Sequence, residues 1–172
     1  MELPELLSQF LAWAWDRHHN PLSWFIRPLF IIPFCYFAYR RSWPGIGLTL
    51  LGLATSMFWF PKPAEPPAWV IDFLAAEKAY LLSPWTPAKI GLTLLVPLSL
   101  GALGAAFWAR SIAWGVAVIV LIALAKSAWS VFEAGESGWS VVPFALIGML
   151  LCAGVILYTH RRWGKPRTAP NP

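Results

Sequence analysis

Charged residues are scarce in this sequence. Asp, Glu, Lys and Arg make up 12% of its 172 residues, whereas soluble domains carry about 25%. Hydrophobic residues make up 58%, so the chain has too few charges to cover a surface that faces water. The sequence therefore predicts an all-α fold, a polytopic transmembrane helical bundle whose surface is largely covered by lipid.

The motifs on which common enzyme classes depend are also missing. The sequence has no nucleophile–base motif, no glycine-rich phosphate loop and no spacing of residues that suits a metal. Its two cysteines, Cys35 and Cys152, fall in apolar segments and are expected to be buried side chains rather than a disulfide. His18 and His19 are predicted far from His160, so no metal or haem site is expected.

Apolar segments divide a membrane domain, residues 21–159, into five predicted spans. These spans are residues 21–39, 45–60, 88–109, 112–132 and 139–158. Residues 1–20 and 68–82 are too short or too polar to cross and predict amphipathic helices at the outer interface. In the first of these, Leu7, Leu11 and Ala14 share one face. Residues 160–172 form a basic tail.

Basic residues at alternate connections orient the predicted bundle. They are Arg40, Arg41, Arg110, Arg161, Arg162, Lys165 and Arg167. Because cytoplasmic connections carry an excess of Lys and Arg, the N-terminus is expected outside and the C-terminus in the cytoplasm. The expected location is a bacterial-type inner membrane. The basic residues at these helix ends account for the net charge of +5, so no nucleic-acid partner is expected.

Tryptophan is abundant, and nearly all of its 12 residues lie near predicted span ends. Indole prefers the membrane interface because its ring is apolar and its N–H needs a partner. The alternative is a pigment or quinone held between these rings. The sequence does not identify a cofactor.

Five charged residues on the predicted outer side form the candidate ligand-binding site. Arg27 and Lys126 lie inside predicted spans, where charges are costly and mark functional positions. Glu77 projects into the apolar face of helix 68–82, which predicts that it pairs with Arg27 or Lys126. Glu133 and Glu136 follow the outer end of the fourth span. No catalytic or metal-binding residue is assigned.

Simpler structural roles are the alternatives for these residues. Arg27 and Lys126 are long enough to snorkel to the interface, and Glu77 reaches water if its helix is irregular. The Arg27–Pro28 pair predicts a helix break or start near Pro28, with free amides that attract anions. Its alternative is a kinked helix whose arginine contacts lipid phosphate.

Three functions fit this pattern. The leading interpretation is a non-enzymatic accessory or interaction subunit of a membrane assembly, because no soluble domain or catalytic motif is present. The second is a lipid-binding, anion-binding or transport protein with an outward-facing polar site. The third is an intramembrane enzyme on a lipid or isoprenoid substrate, with Glu77, Glu133 or Glu136 as acid–base group. Membrane lipids are the expected partners, with other membrane subunits or a homo-oligomer as further possibilities.

Overall fold

The computed structural model describes residues 3–163, without the side chains at positions 134, 137, 162 and 163. Within this range lie α1 (Leu3–His18), α2 (Pro21–Leu29), α3 (Ile31–Tyr39), α4 (Trp43–Thr55), α5 (Ala68–Leu82), α6 (Pro87–Trp108), α7 (Ile112–Ala134) and α8 (Val141–Trp163). Two 3₁₀ segments, Ser56–Phe58 and Gly135–Ser140, complete the elements. The described residues contain no strand, which confirms the predicted all-α bundle.

Four helical segments are long and apolar enough to cross a membrane. They are Pro21–Tyr39, Pro87–Trp108, Ile112–Glu133 and Gly138–Arg161, and they match the first, third, fourth and fifth predicted spans. The second predicted span corresponds to a shorter apolar helix, Trp43–Phe58. The α-helical part of this segment is about 20 Å long, whereas the hydrocarbon core of a bilayer is about 30 Å thick. A fifth membrane crossing therefore stays a prediction. Helices of this kind are compatible with a membrane protein.

The first long segment is interrupted at Phe30, two residues after Pro28. Pro28 lies inside α2, and Phe30 keeps right-handed helical backbone angles while its amide bonds to the Arg27 oxygen at 3.1 Å. The break therefore lies near Pro28, as the sequence predicts, but the Phe30 amide is bonded rather than free to attract an anion. Pro33 also lacks the N–H that would pair with the Leu29 carbonyl.

The apolar core lies in the half of the bundle where α3, α4, α6, α7 and α8 meet. Its buried side chains are Phe34, Cys35, Ala38, Ile46, Leu103, Phe107, Ile119, Cys152 and Ile156. Both cysteines are free and buried, as the sequence predicts. The Cys152 thiol donates to the Pro28 oxygen at 3.2 Å, which joins α8 to α2.

Two arginine-containing turns close this half of the bundle. Arg41 and Arg110 follow α3 and α6 with φ of 55° and 59°, the left-handed backbone that commonly ends a helix. Arg41 Nε donates to the Trp108 oxygen at 3.2 Å, and the Arg110 guanidinium lies 5.6 Å from the centre of the Tyr39 ring. Arg41 therefore contacts the last residue of α6, and Arg110 contacts the last residue of α3. These two contacts join the ends of α3 and α6.

The opposite end of the bundle carries α1 and α5. Arg17 Nε on α1 donates to the Phe58 oxygen at 2.7 Å, and the Asn20 side-chain amide donates to the Pro61 oxygen at 2.9 Å. Lys62 pairs with Asp16 at 2.9 Å. These contacts hold α1 beside the end of the shorter apolar helix, while α5 packs on α7 and the second 3₁₀ segment.

Candidate functional site

A cavity of about 200 Å³ lies at the end of the bundle opposite the arginine turns. Its charged and titratable lining residues are His18 from α1, Arg27 from α2, Glu77 from α5 and Lys126 from α7. The rest of its lining is apolar: Trp24, Pro28, Phe73, Val141, Phe144 and Ala145. We call this space the cationic cavity, because two permanent cations face one carboxylate across it.

Glu77 reaches the cavity because α5 turns one face towards the bundle. Val70 and Leu74 on that face are buried, and the Phe73 ring packs edge-on against Trp24 at 5.0 Å. Residues three and four apart share a helix face, so Glu77 continues this row. Its side chain keeps 39% of its surface accessible.

His18 is the nearest charge partner of Glu77. The two atoms His18 Nε2 and Glu77 Oε2 are 3.8 Å apart. The imidazole is 4% exposed and stacks on Trp24 at 5.8 Å, and its Nδ1 has no hydrogen-bond partner among the described residues. The Trp24 indole in turn donates to the His18 backbone oxygen at 3.2 Å. A buried, partly unsatisfied ring thus forms one wall of the cavity.

The charges around Glu77 hold its carboxylate in the ionised form. Burial raises the pKa of Glu77, but the neighbouring His18 and the charges of Lys126 and Arg27 lower it by more than burial raises it. The net result is a pKa below the ordinary value of 4.5. An ionised carboxylate offsets one of the two permanent cations and leaves the cavity with net positive charge.

Arg27 and Lys126 themselves remain without direct partners. Neither forms a hydrogen bond or an ion pair among the residues that the structure describes, although both act electrostatically on Glu77. Arg27 is half-buried and Lys126 keeps an accessible side chain. The expected pairing of Glu77 with one of them is replaced by a contact with His18, while all four groups share one cavity.

Glu133 and Glu136 lie outside this lining. Both are exposed, at the end of α7 and in the 3₁₀ segment that follows. Lys126 and Glu133 share a helix face but are separated by about 10 Å along the axis. Ser130 lies between them on that face, and a Cβ at Gly138 would come within 1.9 Å of its backbone oxygen. The chain that returns after α7 therefore packs directly on the backbone of α7 at Ser130.

His18 and Trp24 are among the lining residues that the sequence does not assign to the site. The sequence places His18 just outside the first predicted span, within the predicted interfacial helix 1–20. A signal for its burial was available, because Leu7, Leu11, Ala14 and His18 follow the i, i+4, i+7, i+11 spacing of one helix face. Ala14 and His18 are the two residues of α1 that are buried.

A buried lysine fixes the C-terminal end of α5, the helix that carries Glu77. Lys89 is 5% exposed, and its ammonium donates to the backbone oxygens of Tyr80, Leu81 and Ser83. It also lies 4.4 Å from the centre of the Trp85 ring. These bonds satisfy carbonyls that a helix end leaves free, so Lys89 has a structural role in positioning the cavity wall.

The arrangement is suited to binding an anion. Its donors are a guanidinium, an ammonium and an imidazole, and hydrogen bonds from charged donors to an anion are strong. Within the described residues no group of three or more His, Cys, Asp or Glu side chains could hold a metal ion. Comparison of the chain with protein-family models, with curated proteins and with solved structures found no match in any of the three.

Proposed function

We propose that this integral membrane protein binds an anionic group in the cationic cavity, as a lipid-binding, anion-binding or transport protein. The observation that supports the proposal is that Arg27 and Lys126 both line a cavity that contains a single carboxylate, Glu77. Two cations facing the same space repel each other, and an anion between them relieves that repulsion. Charges within membrane spans are costly and are candidates for ligand or ion sites.

Snorkelling would explain either cation alone but accounts less well for both. A side chain that only reaches for the interface has no reason to converge with a like charge from another helix. Arg27 lies on α2 and Lys126 on α7, and the two approach the same cavity from different sides. Convergence of this kind supports a shared counterion.

The proposed orientation places the cationic cavity on the outer side of a bacterial-type inner membrane. The arginine turns at Arg41 and Arg110 are then cytoplasmic, in agreement with the distribution of basic residues. An impermeant thiol reagent should label Lys62→Cys in intact cells, and it should label Ser42→Cys only after the membrane is opened. The reverse pattern would overturn the orientation.

Native mass spectrometry of protein extracted gently from its own membranes tests the binding proposal. The wild type should carry a stoichiometric anionic molecule, and Lys126→Met should lose it, because a charge-assisted contact is worth about tenfold or more in affinity. Lys78→Met is the matched control, since Lys78 is exposed and does not line the cavity. A wild type without any anion, or an anion retained equally by Lys126→Met, contradicts the proposal.

The accessory-subunit interpretation is the second candidate, and one observation favours it. The apolar side chains Leu3, Leu7, Phe10 and Leu11 on α1 are all exposed in the single chain. Either the membrane interface or another subunit would cover such a surface. In the same mass spectra, co-release with a second protein in defined stoichiometry supports this function, and release as a single chain argues against it.

An enzymatic role for Glu77 has less support. A general acid at neutral pH needs a raised pKa, whereas the charges around Glu77 lower its pKa. The carboxylate is thus better suited to holding the cavity together when no anion is bound.

A further inference from the structure

A second, wholly apolar cavity adjoins the cationic cavity. It has a volume of about 150 Å³ and lies between α2 and α8. Pro28 and Phe144 line both spaces, so the two cavities meet at these residues. We call the second space the α2–α8 groove.

The groove follows matching faces of the two helices. Phe25 and Leu29 contribute from α2, and Ile147 and Leu151 contribute from α8. The spacings of four residues place each pair on one helix face. From Phe144 to Leu151 the groove extends about 10 Å along α8, away from the charged groups and towards the middle of the bundle.

Gly148 shapes the floor of the groove. A Cβ on this residue would lie 2.5 Å from Pro28 Cβ, so α8 approaches α2 as closely as a hydrogen side chain allows. Ile147 and Leu151, which are larger, do not block this approach of the two helices, and they are 50% and 49% exposed. The groove is therefore open towards the lipid-facing side of the helices.

The chemistry of the groove excludes a polar occupant. Its lining side chains are all hydrocarbon apart from Gly148, which has no side chain, and a polar group placed there would find no side-chain hydrogen-bond partner. A hydrocarbon chain fits such a surface, and a chain already in the bilayer could enter laterally. An ordinary lipid-facing surface would hold lipid without selectivity, but this one adjoins the cavity that Arg27 and Lys126 line.

We propose that the protein binds one anionic membrane lipid, with its charged head in the cationic cavity and a hydrocarbon chain in the α2–α8 groove. This inference rests on the proposed function and narrows its ligand to an amphiphile. Charge complementarity selects the head, because two cations face one carboxylate. Pro28 and Phe144 line both spaces, so a head in one and a chain in the other lie close enough to belong to one molecule.

The test compares a head-binding variant with a groove-filling variant in bilayers of known composition. Wild type, Lys126→Met and Ile147→Trp are reconstituted in nanodiscs of equimolar phosphatidylglycerol and phosphatidylcholine, then released for native mass spectrometry. The control is Leu150→Trp, an exposed position on α8 that does not line the groove. Thermal unfolding of each variant shows that it is folded, and Leu29→Trp replaces Ile147→Trp if that variant unfolds.

The expected result is one retained phosphatidylglycerol per wild-type chain. Lys126→Met and Ile147→Trp should each reduce its occupancy by about tenfold or more, from a lost charge contact and from lost chain burial respectively. Leu150→Trp should retain the lipid.

Three outcomes overturn the inference, and they separate it from the proposed function. If Lys126→Met loses the lipid but Ile147→Trp retains it, the groove does not bind the hydrocarbon chain, and the proposal of anion binding still holds. Displacement of the lipid by an equal concentration of glycerol phosphate, which lacks a chain, leads to the same conclusion. Retention of neither phosphatidylglycerol nor glycerol phosphate by the wild type rejects the lipid and counts against the proposed function as well.

Discussion

His18 Nε2 lies 3.8 Å from Glu77 Oε2, and this contact joins α1 to α5 across the cationic cavity. In the sequence, α2, α3 and α4 lie between these two helices. Since Arg27 and Lys126 also act on the carboxylate, Glu77 is the group on which the charge balance of the cavity depends.

Replacing Glu77 by Gln should lower the thermal stability of the protein without a bound anion and should raise its affinity for an anion. The substitution removes the charge that offsets Arg27 and Lys126 and leaves the cations to repel each other. Because the side chain is partly exposed, we expect a modest fall of about 2–4 °C in Tm, together with higher occupancy by phosphatidylglycerol. Glu65→Gln, at an exposed residue outside the cavity, is the control. Unchanged Tm and unchanged occupancy would show that Glu77 does not interact with the cations.

The same carboxylate should make stability depend on pH in the acid range. The pKa of Glu77 in the folded protein is below its ordinary value of 4.5, chiefly because of His18, Lys126 and Arg27 acting against burial. A lowered folded pKa means that the stabilisation is complete above pH 4.5 and is lost as the pH falls through the folded pKa.

Tm measured against pH for the wild type and Glu77→Gln checks this sign. The difference between the two proteins should persist from neutral pH down to about 4.5, the ordinary value for Glu77, and should shrink below it. A difference that grows below pH 4.5 would mean that the folded protein favours the protonated carboxyl group.

Adding a methyl group at Gly148 should separate α2 from α8. The new Cβ would lie 2.5 Å from Pro28 Cβ, and crowding of this kind costs about 1–3 kcal/mol. Gly154→Ala is the matched control, because a Cβ at Gly154 on the same helix meets nothing within 4 Å. Thermal unfolding of the two variants distinguishes them, and equal Tm values would argue against close approach of the helices at Gly148.

Removing the Lys89 ammonium should loosen α5 and the cavity wall that it forms. Lys89→Met removes the ammonium that the carbonyls of Leu81 and Ser83 accept from, and leaves the Tyr80 carbonyl with only its bonds from Ser83, at a cost of about 1–3 kcal/mol. Hydrogen exchange should become faster in residues 68–82 and remain unchanged in the core of α3 and α6. Lys78→Met should not change the exchange, and protection of α5 in Lys89→Met would refute a capping role.

Local sequence properties predicted the elements of this fold well. Composition and the length of apolar segments gave four of the predicted spans, and the face of helix 68–82 that carries Glu77 was evident from its side-chain spacing. The interruption of the first long segment lies at Phe30, near the predicted position at Pro28. The second apolar segment, Trp43–Phe58, is as long as the predicted span 45–60 but is shifted towards the N-terminus.

The sequence by itself determined that this chain is an all-helical, apolar bundle with isolated charges in it, because composition and helical periodicity are properties of short segments. Only the tertiary structure decided which of those charges meet. His18, Arg27, Glu77 and Lys126 lie on four helices, and their convergence depends on contacts far apart in the chain, such as that of Gly148 with Pro28. Helix depth and rotation, which these contacts set, also leave Glu133 and Glu136 outside the cavity.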